Sequence, residues 1–131
     1  MDMTGKLAIV TGASRGIGRA ISLKLAGLGA CVIVNYRADA DGANEVVSEV
    51  HARGGQAEAM KGDVRLAAEA EAMVKRILDD YGRIDILVNN AGTTRDTLLM
   101  RMSIEDWDTV LDTNLKGAFF CTKACLRPMM K

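Results

Sequence analysis

Leu7-Ala8-Ile9-Val10-Thr11-Gly12-Ala13-Ser14-Arg15-Gly16-Ile17-Gly18 is the stretch from which the fold can be read. Four apolar residues feed into a glycine-rich turn, and an apolar helical pattern follows. A dinucleotide pyrophosphate requires this order of strand, turn and helix start. The backbone must approach the phosphates closely, and free N–H groups at a helix N-terminus must face the negative charge. Gly12 permits the tight turn, Gly16 removes a Cβ that would hold a cofactor away, and Gly18 lets the helix lie close to the sheet. The spacing is G-x-x-x-G-x-G rather than the commoner G-x-G-x-x-G.

Outward from this turn, the chain alternates strand and helix without linker, repeat or low-complexity segment. Residues 7–11 read as the first strand, and Ile17, Ile21, Leu25 and Leu28 mark a helix over 17–28 that Gly29 ends. Cys31-Val32-Ile33-Val34 is the second strand, and Val46, Val47 and Val50 mark a helix over 40–53, closed by Gly54-Gly55. Residues 56–61 predict a short third strand, and 66–81 a strongly amphipathic helix. Ile84, Ile86, Leu87 and Val88 predict strand four, and 103–130 reads as helix with a break near Asp112–Thr113. Such alternation predicts an α/β fold of parallel β-α-β units with right-handed crossovers. The expected architecture is the N-terminal half of a Rossmann-type doubly wound parallel sheet, about four strands with flanking helices. Its length of 131 residues suits a single domain, so residues 1–131 are expected to form one dinucleotide-binding portion.

Apolar residues make up 49% and charged residues 26%, a globular composition. Lys and Arg together number 17, as do Asp and Glu, so no basic footprint points to nucleic acid. No apolar run reaches membrane-spanning length, and Met1-Asp2-Met3-Thr4-Gly5-Lys6 is not the start of a signal peptide. Cys31, Cys121 and Cys125 lack metal-ligand spacing, and no metal is expected. Cys121 and Cys125 stand four apart on one helix face, where buried thiols are expected. These features suit a reducing cytoplasm. His51, the only histidine, falls late in the second helix and is expected to be solvated. Trp107, Phe119, Phe120, Met100, Met102, Met129 and Met130 are expected to be packing residues rather than ligands.

An NAD site of this type places an acid after strand two to bind the ribose 2′-hydroxyl. Here the region reads Asn35-Tyr36-Arg37, and the first acid is Asp39. Arg37, and Arg15 in the glycine turn, suit a 2′-phosphate instead, although a lone arginine is usually a solvated surface residue. Standing at both expected places, the two favour NADP. Asp63, after strand three, is either an acceptor for the adenine amino group or an N-cap for the next helix. Asn89-Asn90-Ala91-Gly92 follows strand four at the edge where ligands bind, and these are also ordinary turn residues. Asn114 stands inside an otherwise helical stretch and marks either a kink or an exposed position.

With Thr11–Gly18, Asp63-Val64, Asn89–Gly92 and Asn114 in this order, essentially the whole chain resembles the short-chain dehydrogenase/reductase family. Within it, Thr94-Arg95-Asp96-Thr97-Leu98-Leu99-Met100-Arg101-Met102 is similar to the 3-oxoacyl-acyl-carrier-protein reductases of bacterial fatty-acid synthesis. Related acetoacetyl-thioester reductases carry a similar segment. The resemblance implies a cytoplasmic homotetramer that uses NADPH to reduce a 3-oxoacyl thioester on acyl-carrier protein or CoA. It also implies that Gly12, Ala13, Ser14, Arg15, Gly16, Ile17 and Gly18 hold the phosphates and that Asp63 and Val64 contact adenine. Asn90, Ala91 and Gly92 would line the ribose side, and Asn114 would order a water in the proton relay.

The chain departs from the family at its chemistry, which needs a serine, a tyrosine and a lysine four residues after that tyrosine. The tyrosines are Tyr36 and Tyr81, followed at that distance by Ala40 and Asp85. The catalytic half is therefore expected to be missing and the 131-residue chain to be inactive by itself. Strand four would then present an open edge, and the last helix would expose Phe119, Phe120 and Leu126, so marginal stability and self-association are expected. Two further readings stay open: a stand-alone nucleotide-binding or interaction module, and a short-chain reductase of another substrate.

Overall fold

The computed structural model describes residues 1–92 and 103–130, apart from the side chains at 107 and 110–113. Expectations for Thr94–Met102, including Met100 and Met102, and for the packing of Trp107, lie outside the described residues. The order is β1 (Leu7–Val10), α1 (Gly16–Gly27), β2 (Cys31–Tyr36), α2 (Ala40–Ala52), β3 (Gln56–Lys61), α3 (Ala67–Tyr81), β4 (Ile86–Val88), α4 (Ile104–Leu111) and α5 (Gly117–Met130). A π-helical segment, Asp112–Lys116, joins α4 to α5 where the sequence predicts a break. The four strands are parallel in the order β3-β2-β1-β4, which is half of a doubly wound sheet.

The apolar pattern accounts for the layers. Strands buried on both faces lack polar alternation, and β1 is buried throughout. Ala8, Val10, Val32 and Val34 pack with Ala43, Val46 and Val50 of α2 on one face. Ile9 and Ile33 pack on the other with Met73, Val74 and Ile77 of α3 and Cys121 and Cys125 of α5. Helix α3 places its buried residues three and four apart and stops at Gly82, whose φ of 75° a side chain would strain. Its N–H closes the helix on the Leu78 carbonyl at 2.9 Å.

Strand four is shorter than the sequence suggests. Ile84 is buried in the core, yet the strand begins only at Ile86. Asp85 intervenes: its carboxylate accepts the Leu7 N–H at 2.8 Å, while its own N–H donates to the Leu7 carbonyl at 2.9 Å. A side chain thus takes one place in the ladder. Met129 and Met130, expected as packing residues, are exposed instead, and Phe119 follows the expectation of exposure rather than that of packing. The Phe119 ring forms a T-shaped pair with Phe120, centroids 5.7 Å apart, and lies 5.9 Å from the Lys123 ammonium. Leu126 is exposed as expected, but Phe120 is half-buried against the α3 side of the core.

Candidate functional site

Strand order reverses between β1 and β4, so the connections leaving their carboxyl ends go to opposite faces and leave a crevice. A cavity of about 500 Å³ opens at this edge. The Gly12 turn, the Arg37–Asp39 segment, Asp63–Arg65 and Asn90–Gly92 all contribute to its wall. Each comes from the carboxyl end of a different strand, which is why residues so distant in sequence meet here.

The turn after β1 is held from several sides. Thr11, itself buried, accepts the N–H groups of Asn90 (3.0 Å) and Ala91 (2.9 Å) on its Oγ1. Asn90 Nδ2 in turn donates to the Gly12 carbonyl at 3.0 Å. Gly12 has φ +59°, and a Cβ there would stand 2.7 Å from the Ala91 Cα. A Cβ on Gly18 would come within 2.5 Å of the Gly12 carbonyl oxygen and 3.0 Å of the Ala13 Cα. The close approach that Gly18 allows is therefore to the turn itself and to Asn90, and only through them to the sheet.

Helix α1 begins without a side-chain cap at Arg15 and without an acid in its first turn. Its first N–H groups carry a partial positive charge, and no side chain of the cap satisfies it. Arg15 and Arg37 stand on the wall of the same cavity. Asp39, the first acid after β2, caps α2 by accepting the Gly42 N–H at 2.9 Å. Across the cavity, Asp63 is clasped by Arg65. The guanidinium Nε donates to both carboxylate oxygens (2.9 and 3.2 Å), Nη2 donates at 2.7 Å, and the Arg65 backbone N–H at 3.0 Å. Those bonds to Arg65, with Arg65 and Arg37 charge nearby, hold the Asp63 carboxyl below the usual carboxylate range. Asp63 is not the N-cap of α3. That place belongs to Leu66, which offers no side-chain bond.

Among the residues singled out from the sequence, Gly12, Ser14, Arg15, Arg37, Asp63, Val64, Asn90, Ala91 and Gly92 line the cavity. Gly16, Ile17 and Gly18 stand beside it at the start of α1, with Ile17 exposed. Ala13 is placed differently. Its side chain is buried in the α2 side of the core, and its N–H is taken by the Asn35 carbonyl at 2.9 Å. Asn114 is exposed within the π-helical segment, and its Oδ1 lies 2.7 Å from where a Cβ on Gly92 would be. It thus stands at the Gly92 end of the cavity. Sequence reasoning missed Asn35, Arg65 and Thr109, which also line the wall. Asn35 had a signal, a polar residue on the strand face shared with Ile33.

The remaining candidates stand apart from this edge. Tyr81 donates its hydroxyl to Glu58 at 2.6 Å, and burial with that bond raises its pKa, so it is a poor proton donor. Cys121 and Cys125 are buried thiols, pushed by burial up to about 11 and about 12. His51 is exposed. Among the described residues no group of three His, Cys, Asp or Glu side chains is placed to hold a metal, and no helix is long and apolar enough to cross a membrane.

A family model described as short chain dehydrogenase matches residues 6–131. Over 129 residues the sequence is 52% identical to a 3-oxoacyl-[acyl-carrier-protein] reductase of Synechocystis sp., covering 98% of this chain and 52% of that protein. It is 50% identical to a reductase of the same name from Staphylococcus aureus, covering 100% of this chain and 53% of that one. Among solved structures, a short-chain dehydrogenase from Burkholderia cenocepacia in complex with NADP superposes with a TM-score of 0.92 at 36% identity, over 98% of this chain and 53% of that one. A mutant short-chain dehydrogenase/reductase of Serratia marcescens gives 0.92 at 38% identity with the same coverage. The chain spans about half the length of the curated relatives it matches.

Proposed function

The chain belongs to the short-chain dehydrogenase family, and from that premise we propose that residues 1–131 are a nucleotide-binding portion that holds NADP(H) for reduction of a 3-oxoacyl thioester. The relatives named 3-oxoacyl-[acyl-carrier-protein] reductase support the substrate class, with the acyl group on acyl-carrier protein. The observation that carries the cofactor reading is electrostatic. Arg15 and Arg37 face one cavity whose first β2-edge acid, Asp39, is engaged in capping α2. Guanidinium groups suit phosphate oxygens, whereas a ribose 2′-hydroxyl calls for a free carboxylate.

The fit of the residues to NADP(H) follows from the same geometry. The uncapped start of α1, with Ser14, Gly16, Ile17 and Gly18, takes the pyrophosphate charge, Arg15 and Arg37 take the 2′-phosphate, and the Gly12 turn admits the close approach. Asp63 and Val64 take the adenine end, with Arg65 keeping the Asp63 carboxylate ionised and oriented. Asn90, Ala91 and Gly92 line the ribose of the reactive half, and Asn114 orders water beside Gly92 for the proton relay. When bound, the nucleotide supplies a hydride to the 3-keto carbon. Ala13 acts from behind, as a buried brace of the turn. The proton donor is not among these residues. Tyr81 is engaged by Glu58, and neither tyrosine is followed four residues later by lysine. The 131-residue chain thus binds the nucleotide without turning over. It works as a homo-oligomer in the cytoplasm, a reading supported by three free cysteines and by the apolar residues exposed on α5.

Calorimetry with NADPH and NADH, beside an assay with acetoacetyl thioester, tests this reading. Tighter binding of NADPH by about tenfold or more, roughly 1.4 kcal/mol, with no turnover is the expected result. Preference for NADH would overturn the cofactor, and turnover above buffer would overturn the inactivity. Stronger binding by a defined oligomer of a partner protein than of either nucleotide would favour the interaction module.

A further inference from the structure

Asn35 lies near the end of β2 on the face it shares with Ile33, and it is only 2% exposed. A carboxamide on an apolar face is unfavourable unless each polar group finds a partner. Here each does. Nδ2 donates to the Gly62 carbonyl (3.1 Å), the Met60 carbonyl (3.3 Å) and the Met73 sulfur (3.3 Å). Oδ1 accepts the Gly12 N–H at 3.3 Å, and the backbone carbonyl accepts the Ala13 N–H at 2.9 Å. The orientation of the amide follows from these partners. A flipped amide would set its oxygen against two carbonyls and its amino group against an N–H.

One buried side chain therefore ties the Gly12–Ala13 turn, on the pyrophosphate side of the cavity, to Met60–Gly62, which leads into Asp63 on the adenine side. Gly12 is also fixed at its carbonyl by Asn90, so its N–H and C=O are held by carboxamides from β2 and from the end of β4. Resting on the nucleotide-binding reading above, we propose that Asn35 is a positioning residue for the cofactor. It sets the spacing between the phosphate turn and the Asp63 edge. The residue type is demanding. Aspartate would put negative charge against the Met60 and Gly62 carbonyls, and leucine would leave the Gly12 N–H and both carbonyls without this partner.

A residue that only stabilises the core would lower the melting temperature without sorting ligands by how far they reach. A spacing residue affects most those ligands that bridge the two ends. Kd values for NADPH and for adenosine 2′-monophosphate are compared in the full chain and in Asn35→Leu, at a temperature where circular dichroism shows both folded. Expected is a loss of about tenfold or more for NADPH and less than about threefold for the short ligand. Equal losses for both, or unchanged Kd values with a lowered melting temperature, would overturn the proposal. Should Asn35→Leu not fold, hydrogen exchange of the unaltered chain decides. The Gly12 amide should be protected, and protected about tenfold further by NADPH; a freely exchanging Gly12 amide in the bound state overturns the clamp. A chain that binds neither ligand overturns the nucleotide reading and this proposal with it. NADPH binding equally strong in Asn35→Leu overturns this proposal alone.

Discussion

On one face of the sheet, Ala8, Val10, Val32 and Val34 are wholly buried, and Ala43, Val46 and Val50 of α2 are buried with them. On the other face, α3 covers Ile9 and Ile33, but α5 buries only Gly117, Cys121 and Cys125. Those three stand four apart and form a single stripe. A second stripe points outward, with Phe119 59%, Leu126 55% and Met130 78% exposed. The contrast shows how the work of the chain is divided. The α2 face is closed with small and β-branched residues, and the turn that lines the cavity is braced against it through Ala13. The α5 face completes the core with one stripe and leaves the other apolar surface outside.

Substitutions that separate these regions differ in size. Ile33→Ala, in the fully buried part of the α3 face, should cost about 2–5 kcal/mol of unfolding free energy in a denaturant titration. A loss below about 1 kcal/mol would show that the centre of the sheet is looser than its burial implies. Gly12→Ala should cost about 1–3 kcal/mol through its left-handed backbone. It should also weaken NADPH binding further, because its Cβ would meet Ala91. Full affinity in a folded Gly12→Ala chain would break the link between the closed face and the site.

Asp85→Ala comes next, at about 1 kcal/mol near neutral pH after screening. Arg83 beside it, together with the Leu7 N–H, holds the Asp85 carboxyl down to about 2. A depressed carboxylate stabilises the fold above its unfolded value of about 3.9, and the benefit is lost as pH falls toward about 2. The unaltered chain should therefore lose this increment across that acid window, and Asp85→Ala should lack it. Parallel curves for the two would remove Asp85 from the ladder. Smallest is Phe119→Ser on the outward stripe, expected within about 0.5 kcal/mol in dilute monomer. A large loss that grows with protein concentration would show the stripe to be covered in solution.

Much of this division is legible in the residues themselves. Leu7–Val10 and Cys31–Val34 are apolar runs of strand length, and a strand buried on both faces has no other pattern to offer. The glycine turn is legible because positive φ and close approach leave few alternatives to glycine. What stays hidden depends on direction and pairing. Ala13 sits between residues that face the cavity, and only the path of the turn sends it into the core. Asp63 reads equally as cap or acceptor until Arg65, two residues on, folds back to clasp it. Asn35 is visible as polar, but its role requires knowing that Gly12 and Gly62 both come to it. Asp85 shortens β4 by a side-chain bond to a residue 78 positions away, which no local pattern encodes.

The claim that the cavity is built for a 2′-phosphorylated dinucleotide is tested most directly by the ratio of NADH to NADPH dissociation constants in the chain and in the Arg15→Ala/Arg37→Ala double variant. With charge-assisted bonds each contributing about 1.5–3 kcal/mol, NADPH should weaken by about tenfold or more while NADH binding stays nearly unchanged. The ratio should fall toward one. A ratio that survives the double substitution, or an equal loss for both nucleotides, would contradict the assignment of these arginines to the 2′-phosphate.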